Sequence, residues 1–596
     1  MATAERVHPT PQDLVAIFHA SFHPTQGNIV DWSLKATDDV HLDGVEFSSL
    51  PSGLHLVEQD VLYFTNNEHH GVAVFKRRKT TELGHRGFRL SSLGILLAKS
   101  AKPRPWRHVP TLRTLVTDLY KTLEEREVLE PRDEDWDPAR KFFDERKVRP
   151  GDLDGTQDWK QWSQELDGAD VDSISTNPTL HLPHLLRMLG PSCLTLYKHI
   201  LGRRRVLIYS HPPLEGACIL CQVAADICYE DQVGIEGSPD ASRSCLTGKH
   251  KEGVNVLGIV TLHDIEKLAH ETKSGRGWVA CTSDAIFLER PQYYDLIIDL
   301  TTSMPARGAR PSLYISRPHL SLGSRGPNYR LSTVRFTWSD VKLWTELDRL
   351  LQLDVSSGPD DGPGCGGTSG WSEMWRLYED VCVVCAGFWS NSWRGSSSID
   401  DHRSEIRLEG GDELHLRTVH VRTLGSGIEG RPMPGAFREP PSPATTSKAM
   451  RRSSGMSLWS LGGRNGRAET SALSPASGAS TKDLGDDGDE DDGVVVDIAA
   501  VRDRQLLTTL ALLQTFHAHT VFLRSRLATL IPPPEERSDT IVSLSPKDVM
   551  SLDLGPLSSL DAKFLEWLAE EYGGGAQITV RKGWRDLFGL MLGFGD

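Results

Sequence analysis

The spacing of apolar positions changes character along the chain. Near the start, LVAIFHASF (from Leu14) and NIVDW (from Asn28) are short strand-like runs joined by HPTQGN. Pro24 fixes its own φ there and Gly27 supplies the positive φ of a tight reversal, which predicts a hairpin. DVLYFTN (from Asp60) and GVAVFKR (from Gly71) flank the polar NEHH and predict a second hairpin. RLSSLGILLAK (from Arg89) predicts one more strand, and TLRTLVTDLYKTLEE (from Thr111) has the spacing of an amphipathic helix. Hairpins followed by a helix predict a small α+β lobe over residues 10–123. Charged residues with Pro, Gly and Asp dominate 124–178, which predicts a linker or excursion.

From residue 179 the alternation is between elements rather than within them. HLPHLLRMLGPSCLTLYKHILG predicts helix broken at Gly-Pro, RRRVLIYS a buried strand, LEGACILCQVAADICYE a helix and VNVLGIVT a strand. GWVACTSDAIFLE predicts two strands turning at Ser283-Asp284, and YDLIIDL a further strand or strand-helix edge. Apolar strands alternating with helices predict an α/β lobe, taken as 179–430 and including a helix at WSEMWRLYEDVCVVCAGFW (from Trp371). Residues 431–493 hold few apolar positions and end in DDGDEDDG, so they predict a disordered tract. Its charges split into 7 basic and 1 acidic residue over 431–467, then 1 basic and 8 acidic over 468–493. Residues 494–596 predict a helical C-terminal region, with a long helix around Leu506–Leu523 and another at FLEWLAEEY. The fold class is therefore α/β: an α+β first lobe, an α/β second lobe, a disordered tract and a helical end.

Leu506–Leu523 has 18 residues without Lys, Arg, Asp or Glu, but four Thr, Gln514, His517 and His519 favour burial against protein over a membrane span. The net charge of −15 disfavours a dedicated nucleic-acid binder. Nine cysteines in 596 residues do not suggest a disulfide framework, and MATAERVHPTPQ lacks a secretory signal's apolar core, so a reduced, cytoplasmic setting is expected.

The usual chemical motifs are missing or out of context. Cys218/Cys221 and Cys382/Cys385 are CxxC pairs inside helix-like apolar runs, without knuckle turns, so they predict core thiols rather than a metal site. GSGIEG (from Gly425) spells a phosphate-loop pattern, but RPMPGAFREPPSP follows where a helix is required. No triad, nucleophile elbow or metal motif is found, so no cofactor, no metal and no bond-making catalysis are expected. Between Lys76 and Arg113 lie 11 basic residues opposed only by Glu82. Lys76, Arg77, Arg78 and Lys79 are the candidates for contact with an anionic membrane or an acidic partner, since each basic residue adds about 1 kcal/mol near anionic lipid. The alternative is a solvated face.

FHPTQGNIVDW, LPSGLHLVEQDVLYF and RGFRLSSLGILLAKSAKPRPWRHVPTLRTL, taken in order, resemble the first lobe of the DENN-domain proteins. LGPSCLTLYKHILGRRRVLIYSHPP, LGIVTLHDIEKL and GWVACTSDAIFLERPQYYDLIIDL are similar to their central lobe, in wording nearest the LCHN branch in a fungal form with a long C-terminal extension. The resemblance covers residues 10–120 and 180–300 well and is absent in 431–493. It implies a longin-like lobe beside an α/β lobe, with a Rab-type small GTPase held in the cleft between them and its nucleotide released. A GTPase-binding DENN-fold scaffold without exchange activity is the alternative. Trp32 is expected to pack in the first lobe's core, leaving Asp31 on the opposite face as a contact candidate. His263 and Asp264, in LGIVTLHDIEKL, are the second lobe's candidates for GTPase contact.

Overall fold

The computed structural model describes residues 11–80, 87–149 apart from 101, 127 and 129, then 162–167, 177–228, 246, 248–250, 253–303, 309–319, 328–355, 490–532 and 541–581 apart from 575. The expected helix from Trp371, the CxxC pair at Cys382/Cys385, the GSGIEG run and nearly all of 431–493 lie outside the described residues.

The first hairpins form as their alternation predicts. Strands β1 (Leu14–His23) and β2 (Gly27–Lys35) pair antiparallel across Gly27 at φ +80°. Helix α1 (Val45–Ser49) leads to β3 (Gln59–Asn66), β4 (His69–Lys79) and β5 (Phe88–Leu97). Helix α2 (Val109–Glu125) buries Leu112, Val116, Leu119 and Leu123 at helical spacing against one face of these strands. Part of the expected excursion also folds. Helix α3 (Asp137–Arg146) buries Phe142 and Phe143 on β1, and Trp136 stacks on Trp32 at 4.3 Å and 6°. Three aromatics in a charged stretch anchor it, and they are too sparse to register as a periodic pattern. Helix α4 (Trp162–Asp167) follows, tied by a Glu165 fork to Arg104 at 2.5 and 2.7 Å.

The second lobe contains α5 (Leu182–Leu189), α6 (Cys193–Leu201), β6 (Arg205–Tyr209), α7 (Glu215–Asp226), β7 (Asn255–Ile259), α8 (Ile265–Ser274), β8 (Trp278–Thr282) and β9 (Leu296–Asp299). Strands β6 to β9 are parallel. One expectation fails here. Residues Ala285–Glu289 form a 3-10 turn, not a second strand, and the adjacent Phe287 and Leu288 both pack into the same core cluster. A strand would send them to opposite faces. An antiparallel pair unread from the sequence, β10 (Ser312–His319) and β11 (Asn328–Val334), completes the sheet, followed by α9 (Asp340–Val355).

The strands make one sheet across both lobes, in the order β11-β10-β9-β6-β8-β7-β3-β4-β5-β1-β2. The halves meet at a single pairing, Phe64 with Gly258. Gly258 sits at φ +68°, and a Cβ there would overlap the Tyr63 carbonyl, so only glycine permits the approach. Across the seam the Asp60 carboxylate accepts hydrogen bonds from Leu214 N (2.7 Å) and Glu215 N (3.0 Å), supplying a cap to α7 from the other lobe.

The C-terminal region closes on this body. Helix α10 (Glu490–Leu530) buries Leu512, Leu513, Phe516, Leu523 and Leu527, and β12 (Val542–Leu544), α11 (Pro546–Ser551), α12 (Ser559–Tyr572) and β13 (Ile578–Val580) follow. Lys198 of α6 bridges Asp340 of α9 (2.7 Å) and Asp561 of α12 (2.5 Å) with all three buried. Cys218 and Cys221 lie buried in α7, and the Cys218 sulfur is 3.5 Å from that of Cys281 on β8.

Two substitutions test the joints. Asp60→Ala leaves the Leu214 and Glu215 N–H groups without their acceptors and should cost about 1–3 kcal/mol, while Asp60→Asn, which keeps one of the two acceptor oxygens and brings no desolvated charge, should cost less. Burial raises the Asp60 pKa despite its three backbone donors, so equal losses for Ala and Asn in thermal melts would contradict the capping role. Lys198→Met strands two buried carboxylates and should cost about 3–5 kcal/mol, with a loss near zero contradicting the anchor.

Candidate functional site

Strand direction decides which residues share an edge of the sheet. The carboxyl ends of β6 to β9 point the same way as the ends of β1 and β4 and the starts of β2, β3 and β5. That edge gathers the β1–β2 turn, Arg77–Lys79, the turn Leu54–Leu56, His211–Pro213, the turn Leu262–Asp264, Ser283 and the Asp299–Thr302 segment. In open α/β sheets this carboxyl edge is where ligands and partners generally bind.

The two lobes touch directly along it. The His263 ring stacks on Phe47 of α1 at 3.5 Å and 15°, and the Ser283 hydroxyl donates to the Ser52 carbonyl at 2.9 Å. Two leucines stand out of this junction into solvent: Leu56 is 57% exposed and Leu262 is 44% exposed. They belong to different lobes, so a partner touching both needs both lobes in place. Asp264 accepts from the Thr261 amide at 2.8 Å and its hydroxyl at 3.1 Å, closing a capping box on the turn Leu262–Asp264 that leads into α8. His263 and Asp264 thus lie on the shared edge, but each already serves the fold.

Asp31 is elsewhere. It sits midway along β2, accepts from His19 Nδ1 at 2.5 Å and from Ser21 Oγ at 2.8 Å, and belongs to a chain in which His19 Nε2 meets Tyr120 OH at 3.1 Å and Tyr120 meets Ser91 at 2.5 Å. Burial pushes the Tyr120 hydroxyl up to about 12. Burial opposes the charge on Asp31 as well, but the hydrogen bond and charge of His19, with the Ser21 hydroxyl, hold its carboxyl below the ordinary value. A strand irregularity between His19 and Ala20 leaves Asp31 as the extra residue of β2, still exposed but with its carboxylate on His19, which period-two alternation alone does not anticipate.

The four basic candidates divide between roles. Lys79 is exposed, Lys76 and Arg77 are half-buried, and Arg78 is buried with its guanidinium 4.6 Å from the Tyr120 ring centroid. Arg77 donates to the His55 carbonyl at 2.5 Å and lies 4.3 Å from the Phe88 ring centroid. They do not form one exposed patch, because neighbours along a strand face opposite sides. Sequence reading missed Leu56, Leu262 and Phe47, which carry no motif; their exposure and pairing emerge only when the lobes meet. Among the described residues no group of three or more His, Cys, Asp or Glu is placed to hold a metal ion.

Residues 17–309 match the family described as DENN domain-containing protein 11. Residues 17–309 belong to the DENN-domain family. The DENN domain-containing protein 11 of Rattus norvegicus is 28% identical over 291 residues, covering 48% of this chain and 57% of that protein. That of Xenopus laevis is 27% identical over 303 residues, covering 50% and 63%. The uncharacterized protein ANR2 of Saccharomyces cerevisiae is 26% identical over 323 residues, covering 49% and 58%. The chain thus spans less than two thirds of the length of these relatives. The matched segment contains the first lobe, the seam and the parallel strands, and it ends before β10, α9 and the C-terminal closure.

The sign of the Asp31 shift fixes a pH test. Its folded-state pKa lies below the ordinary 3.8, so its contribution is present above that value and lost as pH falls through the folded value. Asp31→Asn should therefore cost about 0.5–1 kcal/mol at neutral pH, a figure reduced for its partial exposure, with the two melting temperatures converging in acid. A constant gap from neutral pH to acid would contradict it.

Proposed function

We propose that this chain promotes GDP release from a Rab-type small GTPase, docking the GTPase's switch regions on the shared edge of the two lobes. The observation that carries this reading is the junction itself: exposed Leu56 and Leu262, one from each lobe, stand beside the Phe47–His263 stack in a segment of DENN-domain descent. Paired apolar residues, one from each lobe of a shared sheet, suit a partner held by both, since burying their exposed apolar surface favours association.

Exchange requires no nucleophile or metal of the protein's own. A small GTPase's switch loops are ordered by nucleotide phosphate and magnesium, and a protein that binds their displaced arrangement more tightly weakens nucleotide binding by the same factor. The seam suits such work, because the apolar contacts are held by a sheet continuous across both lobes. His263 and Asp264 act as supports: the stack and the capping box both fix the turn Leu262–Asp264.

We further place the protein in the cytoplasm, peripherally on a membrane that carries the GTPase. Lys79, with the half-exposed Lys76 and Arg77, supplies the anionic-lipid contact, and Arg78 supports β4 from inside the lobe. Such attachment weakens with salt, because exposed charges are screened within about 8–10 Å at physiological ionic strength.

The decisive experiment measures GDP release across a panel of Rab-type GTPases. At least one should be accelerated, with tightest binding to its nucleotide-free form, and Leu56→Glu or Leu262→Glu should each slow release by about tenfold or more with little loss of thermal stability. Tight GTPase binding without release would leave a scaffold in place of an exchange factor. No binding to any nucleotide-free Rab would overturn both. Lys79→Glu should weaken binding to anionic liposomes while leaving exchange in solution unchanged, and an exchange defect would move Lys79 to the GTPase contact.

A further inference from the structure

Helix α10 has a second face that the fold leaves uncovered. Leu512, Leu513, Phe516, Leu523 and Leu527 point into the core, while Asp503, Leu507, Gln514, Ala518 and Arg526 are exposed. At 3.6 residues per turn, Asp503, Leu507, Ala511, Gln514 and Ala518 follow one another along a single stripe, and Arg526 stands at the margin of its far end. Leu507, at 65%, is the most exposed large hydrophobic among the described residues. Residues 502–530 are long and apolar enough to cross a membrane by length and composition, yet only 33% of their most apolar stretch is buried. The stripe is mixed, with Leu507 and the two alanines between Asp503, Gln514 and Arg526, and it is open to a partner that matches both its apolar and its charged positions.

The order of residues along the stripe points to its occupant. Reversed about the midpoint between Gln514 and Thr515, it sets Asp503 opposite Arg526, Leu507 opposite Phe522 and Ala511 opposite Ala518. We propose that this stripe is the contact between two copies of the chain, with their α10 helices packed antiparallel about a twofold axis. A twofold contact requires self-complementarity, since each residue meets its reversed counterpart twice. The Asp503–Arg526 pair then forms at both ends with opposite charges facing. The small Ala511 and Ala518 allow the helix axes to approach near the centre. Arg526 lies 5.9 Å from the Phe522 ring centroid, so the second copy's Leu507 and Asp503 would meet an apolar surface with its cation alongside.

Light scattering on the full chain tests the contact. The mass should rise with concentration from 66.0 kDa toward twice that value. Ala518→Glu should hold the protein monomeric at an unchanged melting temperature. Asp503→Arg or Arg526→Asp alone should weaken the dimer by about tenfold, because each places two like-charge pairs in the interface. The double variant Asp503→Arg/Arg526→Asp should restore it, an outcome that a merely damaged helix would not give. A chain that stays monomeric at its solubility limit overturns the proposal. So does a dimer indifferent to Ala518→Glu, or a double variant no better than either single one. Binding of the monomer to neutral lipid vesicles that is abolished by Leu507→Glu would assign the stripe to a membrane instead. Dimerisation that begins only after residues 371–389 are deleted would show that the stripe is covered within the chain.

Discussion

One pairing, Phe64 with Gly258, joins an antiparallel half-sheet to a parallel one, and the positions of the other elements follow from it. It exists because Gly258 lacks a Cβ where the Tyr63 carbonyl must come close. So short a strand contact cannot hold two lobes in register by itself. The neighbouring chemistry does that: Asp60 caps α7 from across the seam, Arg113 pairs with Glu215 at 2.7 Å, and Thr65 donates to the Val256 carbonyl at 3.0 Å. Each joins a group of the first lobe to the backbone or a charge of the second, and buried polar groups left unpaired are costly enough to make such contacts selective.

The same constraint sets the candidate site. With the half-sheets in register, the turn after β7 and the turn before β3 arrive at one edge, so Leu56 and Leu262 stand near a common junction. Neither lobe alone presents both. The polar groups beside it, Asp264 and Ser283, are occupied in holding turns and the lobe contact. The C-terminal segments lie outside the matched DENN span, but they are not appendages. Lys198 holds Asp340 and Asp561 in the interior, so the region after the matched span shares the lobe's core.

Legibility in the sequence followed the strength of local pattern. β1 to β9, α2, α7 and the break between α5 and α6 at Gly190–Pro191 are readable because their periodicity, turn residues and bounds agree. Part of β8's sequel and the α3 segment were misread. There the information lies in four buried aromatics, Trp136, Phe142, Phe143 and Phe287, whose burial depends on distant partners. Of the site candidates, His263 and Asp264 stand in a stretch that does reach the junction, while Arg78 is buried and Asp31, though exposed, is engaged by the buried His19. A strand's alternation gives two faces but not which of them another helix will cover, and Tyr120 of α2 claims both the His19–Asp31 side and Arg78.

What the sequence by itself determined is the order and type of β1 to β9, α2 and α5 to α7 and the family resemblance of residues 17–309, because these rest on local spacing and on long ordered phrases. It also settled that Cys218 and Cys221 share a helix face, since i and i+3 must. The tertiary structure alone decided that two half-sheets become one, that Leu56 and Leu262 share a junction, that the stretch around Trp136 folds back onto β1, and that α10 is covered on one face only. Those outcomes depend on which surfaces come together across gaps of tens to hundreds of residues, and burial at such contacts is a property of the pair that meets, not of either segment.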